Sequence, residues 1–345
     1  MQQGQRIFVL RAVEPLCTCY LKVGTVKIVR CKNVPPDRIE TFAVVEGYNI
    51  ITLTDFLRRV PYGWESYLLE TLTSDWLSDQ LHDYARQRRI TGKSYPASEA
   101  VPLVPLAYVR SIRDFYAFEA HVKTARQQRG GSSRIPSEWY ELPAFYYSNP
   151  SVIFGPDDVI PYPYYTDALD FELEVAAVIG KQGINISVED AESYIAGYTI
   201  LNDWTARDVQ KKEMAIGLGP AKAKDFATSI GPYIVTRDTL ANFRNGKGFD
   251  LIMTAKRNGE EISRGNWRDI HWSFSEMIAY ASQDVMLNPG DVIGSGTVGS
   301  GCILELGPDN VGGWLQPGDV IELEIERMGV LRNTIGEKRD PRAPQ

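Results

Sequence analysis

Glu172 and Glu174 stand two apart inside the run Leu169-Asp170-Phe171-Glu172-Leu173-Glu174-Val175-Ala176-Ala177-Val178-Ile179-Gly180. Its aliphatic, β-branched content predicts a buried strand. On a strand, residues i and i+2 share a face, about 6.5–7 Å apart. Two carboxylates facing one way from a core strand repel unless a cation lies between them, so a bound metal is the economical reading. The same segment also fits an edge strand with Asp170, Glu172 and Glu174 in water while Phe171, Leu173 and Val175 pack.

Two other segments carry groups of this kind. Tyr198-Thr199-Ile200-Leu201-Asn202-Asp203-Trp204-Thr205-Ala206-Arg207-Asp208-Val209-Gln210 changes from an apolar run to a helical pattern at Asp203. Asp203 at such a junction can cap the helix. Arg207 and Gln210 follow at i+4 and i+7, on one helix face with it. An acid, a cation and an amide together suit a metal-bound anionic ligand. In Arg113-Asp114-Phe115-Tyr116-Ala117-Phe118-Glu119-Ala120-His121, acids and aromatics crowd His121, one of three histidines. A lone histidine is more often structural; these neighbours set His121 apart from His82 and His271.

The elements that must position these groups can be read coarsely. Ile7-Phe8-Val9-Leu10, Val26-Lys27-Ile28-Val29 and Phe42-Ala43-Val44-Val45 are expected strands. A helix is expected from about Ser66, where Leu69, Leu72, Trp76 and Tyr84 recur at near-helical spacing. Val101-Pro102-Leu103-Val104-Pro105 is an extended, proline-punctuated link and a candidate domain boundary. Beyond it the chain is strand-rich. Leu287-Asn288-Pro289-Gly290-Asp291-Val292-Ile293 and Leu315-Gln316-Pro317-Gly318-Asp319-Val320-Ile321 echo one another as Pro-Gly turns feeding strands; two copies do not make a repeat architecture.

At 345 residues, 43% hydrophobic and 23% charged, the chain has room for one large domain and a smaller one. A net charge of −7, with no Lys/Arg run, argues against nucleic acid. No segment reaches membrane-spanning length and no signal-peptide pattern stands at the start, so a cytoplasmic protein is expected. Cys17, Cys19, Cys31 and Cys302 lack nearby histidines and read as free thiols rather than a zinc site.

Arg-Asp-Phe-Tyr with a histidine seven after the Asp, Leu-Asp-Phe-Glu-Leu-Glu, Asn-Asp-Trp-Thr-Ala-Arg-Asp-Val-Gln and Ser-Gly-Thr occur here in order. Over about residues 109–336 this resembles the fumarylacetoacetate hydrolase family. The resemblance implies an α+β, β-rich fold: a mixed β-sandwich roll catalytic domain at 109–336, a smaller N-terminal α+β domain at 1–108 and a polar tail at 337–345. It implies that Asp114, Glu172, Glu174 and Asp203 hold one divalent metal. His121 matches the family's base and Glu305, in Cys302-Ile303-Leu304-Glu305-Leu306, the acid that orients it. Lys224, Arg207, Gln210 and Thr297 match positions holding substrate oxygens, and Tyr116 and Tyr146 match pocket tyrosines. Met214 stands near a family tyrosine that touches substrate. Arg129 is the nearest match, across a one-residue gap, to an arginine that grips the substrate carboxylate.

Gly294-Ser295-Gly296-Thr297-Val298-Gly299 fits G-x-G-x-x-G, yet residues 302–306 read as a strand where a dinucleotide fold needs a helix. An all-oxygen ligand set suits Mg²⁺, with Ca²⁺ or Mn²⁺ as alternatives. The expected reaction is hydrolytic C–C cleavage of a 1,3-diketo acid such as fumarylacetoacetate or an acylpyruvate, with the His–Glu pair activating water. Decarboxylation, isomerisation or dehydration of a 2-oxo acid on the same metal platform is the alternative, followed by a non-catalytic metal-bound scaffold or sensor. The expected partners are a small oxo acid and a second copy of the chain, with no nucleic acid and no membrane.

Overall fold

The computed structural model describes residues 26–34, 40–57, 64–91, 94–128 and 134–338. The expected strand at residues 7–10, Cys17, Cys19 and Arg129 lie outside the described residues. Among the described residues the fold is β-rich and mixed, with sheets of twelve and five strands and two of two strands.

The large sheet carries Asp114, Glu174 and Asp203. Its central strands Thr228–Val235, Ile195–Asp203, Leu173–Ile179, Val292–Gly294, Ile112–Phe115 and Phe145–Ser148 neighbour one another in that order. On its other flank, Lys27–Lys32 pairs with Thr228–Val235 and is followed by Thr41–Glu46 and Asn49–Thr52. Strands from both sides of the expected boundary at 108/109 therefore share one sheet.

All seven residues of Leu173–Ile179 are buried because both faces of the sheet are covered. Val175, Ala177 and Ile179 pack into a core with Tyr198, Phe249 and Trp267. Ala176 and Val178 pack oppositely, with Ile28, Phe42, Leu68, Leu69 and Leu72 of the N-terminal part. The helical pattern there is two helices, Trp64–Thr71 and Asp75–Ile90, instead of the one expected. Between them the Thr73 hydroxyl donates to Glu70 O at 2.7 Å and its N–H to the same carbonyl at 2.9 Å, which closes the first helix.

The expected strand over 169–180 also divides, into Leu169–Asp170 and Leu173–Ile179. Side chains take over the backbone donors at the break. Asp170 Oδ1 accepts Phe171 N–H at 2.8 Å and Asn202 Oδ1 accepts Glu172 N–H at 3.0 Å, which ends the ladder. Residues 302–306 are corrected from strand to a single helical turn, Ile303–Leu306. Asp203 does not cap a helix. It ends the strand Ile195–Asp203, and the following helix Arg207–Ile216 starts after an Ala206 N-cap that has no side-chain bond.

The echoed Pro-Gly segments fold alike. Gly290 and Gly318 take φ of 89° and 88°, as the third position of such a turn requires. In each, the Asp carboxylate accepts a backbone N–H three residues back, Asn288 at 2.8 Å and Gln316 at 2.7 Å. Cys31 and Cys302 are free and buried. No helix among the described residues is long and apolar enough to cross a membrane.

Candidate active site

Four neighbouring strand ends bring the acids together. Gly294 pairs with Ala176 on one side and Asp114 on the other. Asp203 ends the strand that pairs with Leu173–Ile179 on its far edge. Oxygens of Asp114, Glu174 and Asp203 all lie within 4.8 Å of one another, and all three residues are buried. Asp170 and Glu172 are buried too, which removes the solvated-edge alternative.

Glycines make this convergence fit. A Cβ at Gly294 would fall inside contact distance of Asp114 Oδ1 and 3.4 Å from Glu174 Oε2. Gly296, at φ 76°, passes against the Phe115 carbonyl. Its N–H lies 3.1 Å from both Asp114 Oδ1 and Glu174 Oε2. The Gly-x-Gly segment thus serves close backbone approach to carboxylates. The Thr297 hydroxyl donates to Glu174 Oε1 at 3.4 Å.

Burial, followed by the charges of Asp114, Asp203 and Glu172, pushes the Glu174 carboxyl well above its usual range. Burial likewise raises Asp203 to about 8, against the opposing pull of Lys224. Asp203 Oδ2 accepts from Tyr146 OH and from Lys224 Nζ, while the buried Oδ1 has no hydrogen-bond partner among the described residues. A cluster of buried like charges with an unpartnered oxygen fits a divalent cation.

Glu172 lies outside this three-acid group. Its carboxylate is 2.5 Å from Lys224 Nζ and 2.8 Å from Arg207 Nη2. Burial would raise its pKa, but Lys224 and Arg207 hold it well below the ordinary carboxylate range. Arg207 in turn donates from Nε to Asp170 Oδ2 at 2.7 Å and from Nη1 to Gln210 Oε1 at 3.0 Å. Burial would lower Arg207, but Asp170 and Glu172 outweigh it and keep the guanidinium charged.

His121 lies in the helix Glu119–Gln128, and its Nδ1 is 2.7 Å from Glu305 Oε2. Both side chains are buried, 3% and 1% exposed. Tyr116 sets its ring edge-on to the imidazole, 5.2 Å between centroids. A cavity of about 310 Å³ joins the two clusters: Asp114, Glu172, Glu174, Lys224 and Thr297 line it together with His121, Tyr116, Tyr146 and Gln210. Arg207 reaches it through Gln210 and Glu172. Ala144, Phe145, Met214, Leu218 and Pro220 line the rest with apolar groups.

Asp170, which the sequence offers only as part of a solvated edge, is fully buried and fully hydrogen-bonded. Its place beside Glu172 in an apolar run was the available signal. The break in the strand, which turns it inward, is not readable from periodicity.

Residues 110–336 match the family model for the C-terminal part of fumarylacetoacetate (FAA) hydrolase. The chain belongs to the fumarylacetoacetate hydrolase family. It is 30% identical over 317 residues to a fumarylacetoacetate hydrolase domain-containing protein 2 homolog of Dictyostelium discoideum, covering 90% of this chain and 98% of that one. A mitochondrial oxaloacetate tautomerase of Homo sapiens is 34% identical over 191 residues, 54% of this chain and 56% of its own. The crystal structure of maleylpyruvate hydrolase from Sphingobium sp. SYK-6 with manganese(II) and pyruvate superposes with a TM-score of 0.65 at 22% identity, covering 91% of this chain and 100% of that one. Hydrolytic and tautomerising activities both occur among these proteins, so membership alone does not select the reaction.

Proposed function

We propose that this chain is a metal-dependent hydrolase that cleaves a C–C bond in a 1,3-diketo acid. The observation that carries the reading is His121, held by Glu305, on the same cavity as Asp114 and Glu174 of the acid cluster. Asp114, Glu174 and Asp203 would hold the ion, Mg²⁺ or Mn²⁺ by donor type, and Glu172 would join them by giving up one of its two cationic partners. Once bound, the ion supplies Lewis-acid polarisation of a substrate carbonyl.

The protein groups do the rest. Glu305 fixes His121 through Nδ1, which leaves Nε2 to take a proton from water. The hydroxide adds to the carbonyl distal to the carboxylate, the C–C bond breaks, and the departing carbon is protonated. An acylpyruvate would give a carboxylic acid and pyruvate, and fumarylacetoacetate a carboxylic acid and a 3-oxo acid. Lys224, Gln210 and Arg207 steady negative substrate oxygens. Arg129 would contact the substrate carboxylate, and Tyr116 and Tyr146 would wall the pocket. The apolar lining from Phe145, Met214 and Leu218 favours an uncharged acyl group on the distal side.

Tautomerisation of a 2-oxo diacid is the second reading, supported by the tautomerase relative. It uses the acid cluster without an attacking water. Mn²⁺-loaded protein mixed with acylpyruvates should consume their ultraviolet absorbance and release pyruvate and the free acid in equal amounts. Keto–enol interconversion of oxaloacetate, with every diketo acid left intact, would replace the hydrolase reading by the tautomerase one.

A further inference from the structure

The Asp170 carboxylate takes part in neither the acid cluster nor the cavity lining, yet four donors converge on it, one from its own neighbour Phe171 and three from two distant segments. Oδ1 accepts Phe171 N–H and Ile303 N–H, each at 2.8 Å. Oδ2 accepts Arg207 Nε at 2.7 Å and Leu304 N–H at 3.0 Å. A carboxylate offers about four lone-pair sites, and all are used.

Two of these donors open the turn Ile303–Leu306, and the residue before it, Cys302, provides no side-chain cap. The next residue along is Glu305, whose Oε2 holds His121 while Oε1 accepts Ser300 N–H at 3.2 Å. The remaining long-range donor is Arg207, which carries Gln210 and flanks Glu172. One carboxylate thus ties the group that orients the base to the arm that faces the substrate oxygens.

We infer that Asp170 is a positioning residue that fixes Arg207 and the Glu305 turn as one rigid unit, setting the distance between substrate grip and water activation. The inference rests on the roles proposed above for Arg207, His121 and Glu305. A simple counter-ion for Arg207 would need one oxygen and would leave the Ile303 and Leu304 N–H groups to other acceptors. Asp170→Asn keeps the shape but turns an amide NH₂ toward two of the four donors.

Asp170→Asn is expected to lower kcat by about 10–100-fold, a loss of the size seen when a hydrogen bond that orients a site residue is removed, and to raise KM as Arg207 loosens. Mn²⁺ affinity, measured without substrate, should change far less than kcat, because Asp114, Glu174 and Asp203 keep their contacts. In a Glu305→Gln background the same change should cost far less in kcat while still raising KM, because the turn no longer delivers an oriented carboxylate. An equal kcat cost in both backgrounds would overturn the inference. So would an activity loss matched entirely by loss of folded protein, with KM unchanged.

Amide hydrogen exchange gives a readout that needs neither a stable variant nor a substrate. The Ile303 and Leu304 amides of the unmodified protein should exchange as slowly as those of Leu173–Ile179. Fast exchange there overturns the inference outright. Slow exchange in a protein that cleaves no diketo acid would instead retire the hydrolase reading and leave the Asp170 clamp standing.

Discussion

Lys224 stands between Glu172 and Asp203 with its ammonium buried against both. Burial would lower its pKa, but the two carboxylates outweigh that and raise it. Removing one partner of a buried ion pair strands the others, at a cost of about 3–5 kcal/mol. Lys224→Met should therefore lower the melting temperature of the metal-free protein markedly, and Mn²⁺ should recover part of the loss. Differential scanning calorimetry with and without Mn²⁺ reads both effects. A variant as stable as the parent without metal would show that Glu172 and Asp203 do not depend on Lys224.

The raised carboxyl pKa values give a pH test. Asp203 moves from an ordinary 3.8 to about 8, so between those values the folded chain keeps a proton that the unfolded chain has released. More protons bound in the folded state means that stability falls as pH rises through this window. Asp203→Asn cannot titrate. Its stability relative to the parent should improve steadily from about pH 5 to about pH 8 in metal-free buffer. A pH-independent difference would count against the assignment. Much of this site was legible residue by residue, because carboxylates in apolar runs demand an explanation. The pairing of Glu172 with Lys224 and Arg207 was not, since segments 52 and 35 residues apart meet only in the fold.

At the level of elements, the acid cluster depends on a strand that has no side chain where two carboxylates converge. Gly294→Ala should displace Asp114 and weaken Mn²⁺ binding by at least tenfold, with a cooperative melt retained. Isothermal titration of the variant measures this, and unchanged affinity would mean that the carboxylates have room to spare. The strands Lys27–Lys32 and Thr41–Glu46 and the Pro-Gly turns were readable from local pattern. Three elements were not. The 169–180 run breaks because Asp170 and Asn202 capture backbone donors, and residues 302–306 coil into a turn because Asp170 accepts their N–H groups. The helix near residue 72 stops at a Thr73–Glu70 closure. In each, a side chain satisfies the backbone locally or from a distance, and hydropathy periodicity is blind to that.

For the molecule as a whole, we propose a homodimer, following the family resemblance. Light scattering at micromolar concentration should give twice the chain mass, and a monomer mass would count against it. The family and its β-rich character could be read from motif order. The continuity of the large sheet could not, since a proline-punctuated link at residues 101–105 looks the same whether it joins independent units or stitches one sheet, and here Val101–Pro102 pairs back onto Lys27–Lys32.

That shared sheet has a practical consequence for anyone trimming the protein. Cutting at residue 109 would bare the edge of Thr228–Val235 opposite Lys27 and Ile28. It would also strip Ala176, Val178, Leu201, Ile230 and Ile234 of the side chains that cover them. An unpaired strand beside a naked apolar face is a template for intermolecular pairing. The shortened chain is expected to collect in inclusion bodies or as soluble aggregates, visible as void-volume material on gel filtration. Adding back the N-terminal segment as a separate polypeptide should rescue it, because the missing piece is a cover for a surface that the rest of the molecule cannot hide.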